Sequence, residues 1–485
     1  MFRKLYVNTF FQCEKGEIIL RKTKIVTTIG PATNTYKPMK QLIQSGANVL
    51  RVNFSHGTIP EYENIFNLIK QIRTELNVPV AIMADTRGPE VRVKTCASGC
   101  SLLKKGKTFT FYGYDKEGSD EGVAVTEPSC FKNAKKGTII LANDALIKLK
   151  VLENTGKELV CKVITGGKLS NNKSISLRGI DLNLPYISEK DRNDLTWAFT
   201  NGCDMVACSF VSKVKDIEEI KALRDSCKSK ARIIAKIENG AGIKNLRSIL
   251  DACDGVMVAR GDLGVELYPT KLPKLEIKMI NEALDKGKVS IVATEMLESM
   301  IHSPRPTRAE TIDVANAVYY GASAVMLSAE SAVGQYYDLA VKTMSDICEQ
   351  AEKDTDYKEK FFNSRYNSKH IRDVLSHSAV TTSFKLDIKA IVLYTDSGKT
   401  ATMISRFQPN VPVVAITNDH TTYNYLSQVW GITPVYSEHT GMDIYSLANS
   451  VVVTNKIAKP GDSIVVLTGT TDEISNSLRV LEVTE

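Results

Sequence analysis

The chain has 485 residues, with 62 Lys and Arg against 55 Asp and Glu, a net charge of +7, 43% apolar residues and 24% charged residues. That balance is ordinary for a folded globular chain and excludes the disordered, collagen-like and disulfide-scaffold classes. At about 150 residues per domain the length implies about three domains. A surplus of +7 is too small to mark a dedicated nucleic-acid binder.

Residues 1–20 read as an N-terminal arm. Charges at Glu14, Lys15 and Glu17 fall where a signal peptide needs an unbroken apolar stretch. No apolar run approaches the roughly 18 residues that span a membrane. The ten cysteines are scattered from Cys13 to Cys348 with no C-x-x-C pair, and the six histidines form no H-E-x-x-H motif. Such usage implies reduced thiols in a cytoplasmic chain, with no zinc site and no membrane partner.

Short runs rich in Val, Ile and Ala predict strands at 24–29, 48–53, 80–85, 205–210, 233–237, 255–259, 289–293 and 324–327. They are nearly continuous in apolar character, as strands covered on both faces must be. Helical periodicity lies between them, at 61–76, 188–201, 214–226 and 272–286 among others. Thr307-x-x-Glu310, after Pro304-Arg305-Pro306, is a capping box that opens another helix. Eight alternating β/α units over 21–87 and 185–353 predict a (β/α)8 TIM barrel.

The rhythm breaks between the third and fourth strands. Residues 88–184 carry alternating β patterns and Gly-Lys turns with little helical periodicity, which predicts a small β-barrel lid domain inserted in one barrel loop. After a charged stretch at 354–360, runs at 389–394, 411–416, 463–467 and 478–483 predict a third, C-terminal α/β domain over 354–485 with a mostly parallel sheet.

Polar residues gather at the predicted strand ends, where barrel enzymes keep their sites. Strand two ends Arg51-Val52-Asn53-Phe54-Ser55-His56, and the two-residue spacing puts Arg51, Asn53 and Ser55 on one face. Asp85-Thr86, Ser209, Lys236-Ile237-Glu238, Arg260-Gly261-Asp262, Thr294-Glu295 and Ser328-Ala329-Glu330 follow at later ends. No Ser-His or Cys-His pair stands among them, which disfavours covalent acyl chemistry. Glu238 and Asp262, from adjacent strands, suit a hard divalent cation such as Mg²⁺. Beside it Lys236 can neutralise a transferring phosphoryl group or an enolate oxygen. Asn53, Ser55, Asp85 and Thr86 offer oxygens and one formal charge, a cradle for a monovalent cation.

Singly these motifs have plainer readings. Lys-x-Glu on a strand is usually an ion pair, Arg260-Gly261-Asp262 is also an adhesion tripeptide, and His56 reads as a structural hydrogen-bonding residue rather than a base. Convergence at seven strand ends favours a site. Two rivals stay open: a Mg²⁺-dependent lyase or aldolase passing through a pyruvate enolate, and a non-catalytic binder of phosphometabolites or nucleic acid on the same scaffold.

Thr27-Thr28-Ile29-Gly30-Pro31-Ala32, the run 51–57, Asp85-Thr86-Arg87-Gly88-Pro89-Glu90-Val91-Arg92, and the runs 234–239, 257–265 and 293–310 resemble, in order, the signatures of the pyruvate kinase family. The resemblance implies phosphoryl transfer from phosphoenolpyruvate to ADP, giving ATP and pyruvate. It implies Arg51 and Lys236 on the phosphoryl group, Glu238 and Asp262 on Mg²⁺ or Mn²⁺, and Gly261, Asp262, Thr294 and Ser209 around the substrate. Thr294 would lie near the carbon that is protonated. It also implies K⁺ at Asn53, Ser55, Asp85 and Thr86, with Glu90 matching K⁺-requiring members, and the nucleotide against Asn53, His56, Arg92, Asp144 and Lys173. The family assembles as a homotetramer.

Asn143-Asp144-Ala145 stands where the family has Asp-Asp-Gly, Glu295 where it has Gln, and Ser328-Ala329-Glu330-Ser331 where it has Ser-Gly-Glu-Thr. In the C-terminal domain Thr395, Ser397, Gly398, Lys399 and Thr400 form a strand-to-helix turn rich in N–H and hydroxyl donors, suited to an effector phosphate. Asp472 and Glu473, in the final loop, would repel a second phosphate. A fructose 1,6-bisphosphate site of the usual kind is therefore expected to be absent or altered, leaving a monophosphorylated effector or none.

Overall fold

The computed structural model describes residues 13–14, 17–18, 21–55, 57–143, 145–180, 184–364, 368, 370–438, 443–471 and 474–485. Eight parallel strands close into a barrel: Lys24–Ile29, Val49–Asn53, Ala81–Asp85, Met205–Cys208, Arg232–Ile237, Gly255–Ala259, Val289–Ala293 and Ala324–Leu327. Closure pairs Lys24 with Ala324, while Asn53 pairs with Asp85 at the opposite end.

Both faces of these strands are apolar, which explains their near-continuous hydrophobic runs. Ile25, Leu50, Ile82, Val206, Ile233 and Val256 face the outer helices in one core. Their neighbours Val26, Val49, Met83, Met205, Ile234 and Met257 fill the barrel. The period-two alternation of strand side chains separates the two sets.

The fourth strand stops at Cys208, two residues short of its predicted end. Phe210 takes a positive φ of 57°, and the Ser209 N–H donates to Thr86 Oγ1 at 3.0 Å, so the chain leaves the ladder there. The helix expected at 61–76 begins at Ile59, because Thr58 and Glu61 form a capping box ahead of it. The Thr307–Glu310 capping box is present as read.

Between the third and fourth barrel strands the chain builds a seven-stranded sheet. Its edge strands, Val91–Arg92 and Gly122–Ala124, meet through an antiparallel bridge between Val93 and Val125, which curls the sheet on itself. A second core, with Phe109, Phe111, Leu149 and Val163, fills the curl.

The C-terminal sheet has five strands, parallel except for the last, Ile474–Glu482, which forms a hairpin with Ser463–Thr471. One strand, Ile432–Tyr436, was not legible in the sequence. Pro434 interrupts it, and it lies at the sheet edge, where a missing N–H is tolerated.

This sheet covers the barrel floor. Ile391, Leu393, Phe407 and Trp430 share one buried cluster with the barrel interior. Lys24 Nζ donates to the Ile432 carbonyl at 2.9 Å, the Gly431 N–H to the Lys22 carbonyl at 2.9 Å, and Ser427 Oγ to the Asn48 carbonyl at 3.0 Å. Glu352 accepts from the N–H groups of Lys22 and Thr23 at 2.8 and 2.6 Å.

Burial, aided by the Arg21 charge and opposed by Glu352, lowers the Lys24 pKa from 10.5 to about 7. The unfolded chain therefore holds this proton over a range where the fold releases it. Stability falls as pH drops from about 10.5 to about 7 and is flat below that. Lys24→Met removes the penalty, so its thermal midpoint is expected to exceed that of the wild type at pH 7 and to vary less between pH 7 and 9. An unchanged slope in scanning calorimetry would contradict this role.

Candidate active site

The strand ends opposite the floor enclose a cavity of about 300 Å³, lined by Thr28, Arg51, Asn53, Asp85, Lys236, Asp262, Thr294 and Ser328 among others. It is centred on buried charge. Asp85, 1% exposed, accepts from Arg51 Nε at 2.5 Å, Lys236 Nζ at 3.0 Å and Ser209 Oγ at 3.3 Å. Lys236 Nζ also donates to Ser209 Oγ at 2.6 Å and lies 3.1 Å from Glu238 Oε1. Glu238 Oε2 accepts from the Phe210 N–H at 2.6 Å.

Burial alone would raise the Asp85 pKa, but the Arg51 and Lys236 charges outweigh it and hold the carboxyl below its ordinary value. For Lys236, burial pulls down and Asp85 and Glu238 prevail, so the ammonium stays charged well above its ordinary range. Glu238 moves the other way. Burial pushes its carboxyl up, Lys236 at 3.1 Å opposes the rise, and the neighbouring Asp262 charge adds to it.

Thr294 closes the far side. Its Oγ1 accepts from the Gly261 N–H at 2.7 Å and donates to the Ala293 carbonyl at 2.6 Å. Thr294 and Glu295 both have positive φ, 71° and 52°. Glu295 is exposed at the rim. Glu330 turns away from the cavity and accepts from the N–H groups of Leu297 and Ser328 at 3.0 and 2.7 Å, a structural use of its charge.

The cavity thus brings together Arg51, Asn53, Asp85, Lys236, Asp262 and Thr294. Thr86 Oγ1 receives the Ser209 N–H, and Asn53 Oδ1 receives the Ser55 N–H at 3.0 Å. Arg92 donates to Glu90 at 2.8 Å through Nε and to the Asn172 carbonyl at 2.8 Å through Nη1. Lys173 enters the lid sheet by accepting the Val93 N–H at 2.9 Å. His56 and Asp144 lie outside the described residues, as do Asp472 and Glu473. Thr395, Ser397, Gly398, Lys399 and Thr400 sit far along the chain at the C-terminal sheet. There the Gly398 N–H donates to Thr395 Oγ1 at 2.9 Å, and the Ser397 carbonyl accepts from Arg232 Nη2 at 2.5 Å.

Thr28 was missed. It sits opposite Arg51 in the strand register and accepts from Arg51 Nη1 at 2.9 Å. Its signal lay in the polar pair Thr27-Thr28 near the C-terminal end of the strand.

A closed parallel barrel with a cationic pair, buried carboxylates and a β insert over its mouth defines a phosphotransferase of the lid-bearing barrel class. Residues 20–341 match the model for the barrel domain of pyruvate kinase, and residues 373–483 match the model for its alpha/beta domain. The chain is 39% identical over 457 residues to a pyruvate kinase of Staphylococcus saprophyticus, covering 93% of this chain and 78% of that protein. It is 38% identical to a pyruvate kinase of Staphylococcus aureus with the same coverage. A crystal structure of a Cryptosporidium parvum pyruvate kinase superimposes with a TM-score of 0.91 at 33% identity, covering 96% of each chain. The chain belongs to the pyruvate kinase family. Its kinase chemistry calls for a divalent metal, with phosphoenolpyruvate and ADP as the family's substrates. Among the described residues no helix is long and apolar enough to cross a membrane.

Removing the Asp85 charge strips Arg51 of its carboxylate partner and leaves Lys236 with Glu238 alone. Asp85→Asn is expected to cost about 3–5 kcal/mol of stability, seen as a lower urea midpoint; a midpoint equal to wild type would contradict the charge balance. At the lid, Ala145 has a φ of 64°, which explains why this position favours glycine. Ala145→Gly is expected to stabilise the lid by about 1 kcal/mol, measured as slower proteolysis of the insert; faster cleavage would contradict it.

Proposed function

We propose that this chain transfers the phosphoryl group of phosphoenolpyruvate to ADP, giving ATP and pyruvate, with Mg²⁺ or Mn²⁺ at Glu238 and Asp262 and K⁺ at Asn53, Ser55, Asp85 and Thr86. The observation that carries this is Lys236, held charged between Asp85 and Glu238 at the cavity wall.

Among the described residues no cluster of three or more His, Cys, Asp or Glu side chains could hold a metal, so the ion would rest on the pair Glu238 and Asp262, close enough for the Asp262 charge to act on Glu238. Two adjacent carboxylates suit a hard cation that keeps positions for substrate oxygens. Bound there, it would supply charge neutralisation at the substrate's oxygens.

The chain's own groups do the rest. Arg51, braced by Asp85 and Thr28, presents its guanidinium to the phosphoryl oxygens. Lys236 places its ammonium where negative charge shifts from phosphoryl group to enolate, already aimed by Ser209 and Asp85, so little reorganisation is needed. Gly261 and Thr294 orient the carboxylate, and Thr294 lies beside the carbon to be protonated. The lid, with Arg92, Lys173 and Asp144, covers the nucleotide and excludes water.

The same proposal divides the chain at 21–87 with 185–353, 88–184 and 354–485. It places the enzyme in the cytoplasm as a homotetramer. A phosphorylated effector would use the turn from Thr395 to Thr400.

The test is ATP formation from phosphoenolpyruvate and ADP with Mg²⁺, in K⁺ or in a large organic cation. Activity that falls at least about tenfold without K⁺ is expected. Full activity without K⁺ overturns the monovalent site, and no ATP under either condition overturns the reaction.

A further inference from the structure

Arg260 opens the tripeptide Arg260-Gly261-Asp262, whose other two members take roles at the cavity. Its own side chain, 10% exposed, turns behind the wall. Nη2 donates to the Thr294 carbonyl at 2.7 Å and the Glu295 carbonyl at 3.1 Å, and Nε reaches the Thr294 carbonyl at 3.3 Å. On its other side Nη1 lies 2.7 Å from Asp313, in helix Arg308–Tyr319, and 3.6 Å from Glu276, in helix Leu272–Asp285.

The two carbonyls belong to two consecutive positive-φ residues, Thr294 in the cavity wall and Glu295 at its rim. Non-glycine residues hold that conformation only where their surroundings over-determine it. Here the surroundings are a planar fork of donors anchored from behind by two carboxylates. The next residue, Gly261, grips the same turn from the front through Thr294 Oγ1. One helix start therefore pinches the turn on both sides, and Asp262 follows directly.

We propose that Arg260 is a positioning residue: by clamping the Thr294–Glu295 turn it fixes the Thr294 hydroxyl against the reacting substrate, an inference that rests on the proposed phosphoryl transfer. A lysine cannot substitute. Its single ammonium lacks the fork needed to bridge two carbonyls and a carboxylate.

The experiment compares steady-state ATP formation in wild type, Arg260→Lys, Thr294→Val and the double variant, with thermal midpoints alongside. Arg260→Lys is expected to lower kcat by about 10- to 100-fold, as for a misplacement of about 1 Å, with KM for phosphoenolpyruvate changed less than about threefold. In the Thr294→Val background the same change is expected to lower kcat by less than about threefold, since the clamp acts through that hydroxyl. Fully additive losses, or Arg260→Lys within about twofold of wild type, overturn the clamp. If Arg260→Lys does not fold, Asp313→Asn, which removes the rear anchor, carries the same cycle and the same criterion. A wild type that makes no ATP overturns the reaction and the clamp together; an active wild type with an indifferent Arg260→Lys overturns the clamp alone.

Discussion

The buried ammonium of Lys236 is the constraint on which the site depends. A charge taken out of water costs several kcal/mol unless partners replace its hydration. Here Asp85 and Glu238 supply the countercharge and Ser209 an oxygen. These groups come from strands three, four and five, so the balance exists only when three neighbouring strands end in register. Asp85 also braces Arg51 from strand two, so one carboxylate orders both cations that face the cavity. An incoming phosphoryl group meets charges that are already aimed.

Such a mouth needs a rigid barrel behind it, and the C-terminal sheet helps provide one. The apolar interior of the barrel continues without a break into residues of that sheet. The strand that carries Lys236 begins at Arg232, whose guanidinium reaches the Ser397 carbonyl in the strand-to-helix turn and stacks on Tyr425. The floor also buries Lys24, which weakens the fold at neutral pH. At the opposite end the lid joins the barrel wall: Ser176 bonds Glu266, and Arg178 Nη2 donates to the Val265 carbonyl at 3.1 Å, both on the helix that begins at Arg260. Lid and cavity wall thus share a short helix.

Much of this was legible because strands buried on both faces leave an unambiguous mark. Seven clusters of polar residues at the ends of apolar runs could be mapped to one mouth from strand order alone. What stayed hidden depended on partners. The sequence spacing could not say whether Asp85 serves a monovalent cation or balances Arg51 and Lys236; the structure has it accepting from both. Ser209 looked like the end of a strand, but the left-handed Phe210 after it turns the chain so that Ser209 contacts Lys236. Pro434 concealed an edge strand. Arg260 was hidden for a different reason, since its role is to bond backbone carbonyls, and carbonyls leave no trace in composition.

The most direct test of the account is Lys236→Met, assayed for ATP formation from phosphoenolpyruvate and ADP with Mg²⁺ and K⁺. Charge stabilisation at the moving phosphoryl group should show as a loss in kcat of about 10³-fold or more, with KM for phosphoenolpyruvate little changed. A folded Lys236→Met protein retaining kcat within about tenfold of wild type would contradict the claim that this buried charge drives the reaction.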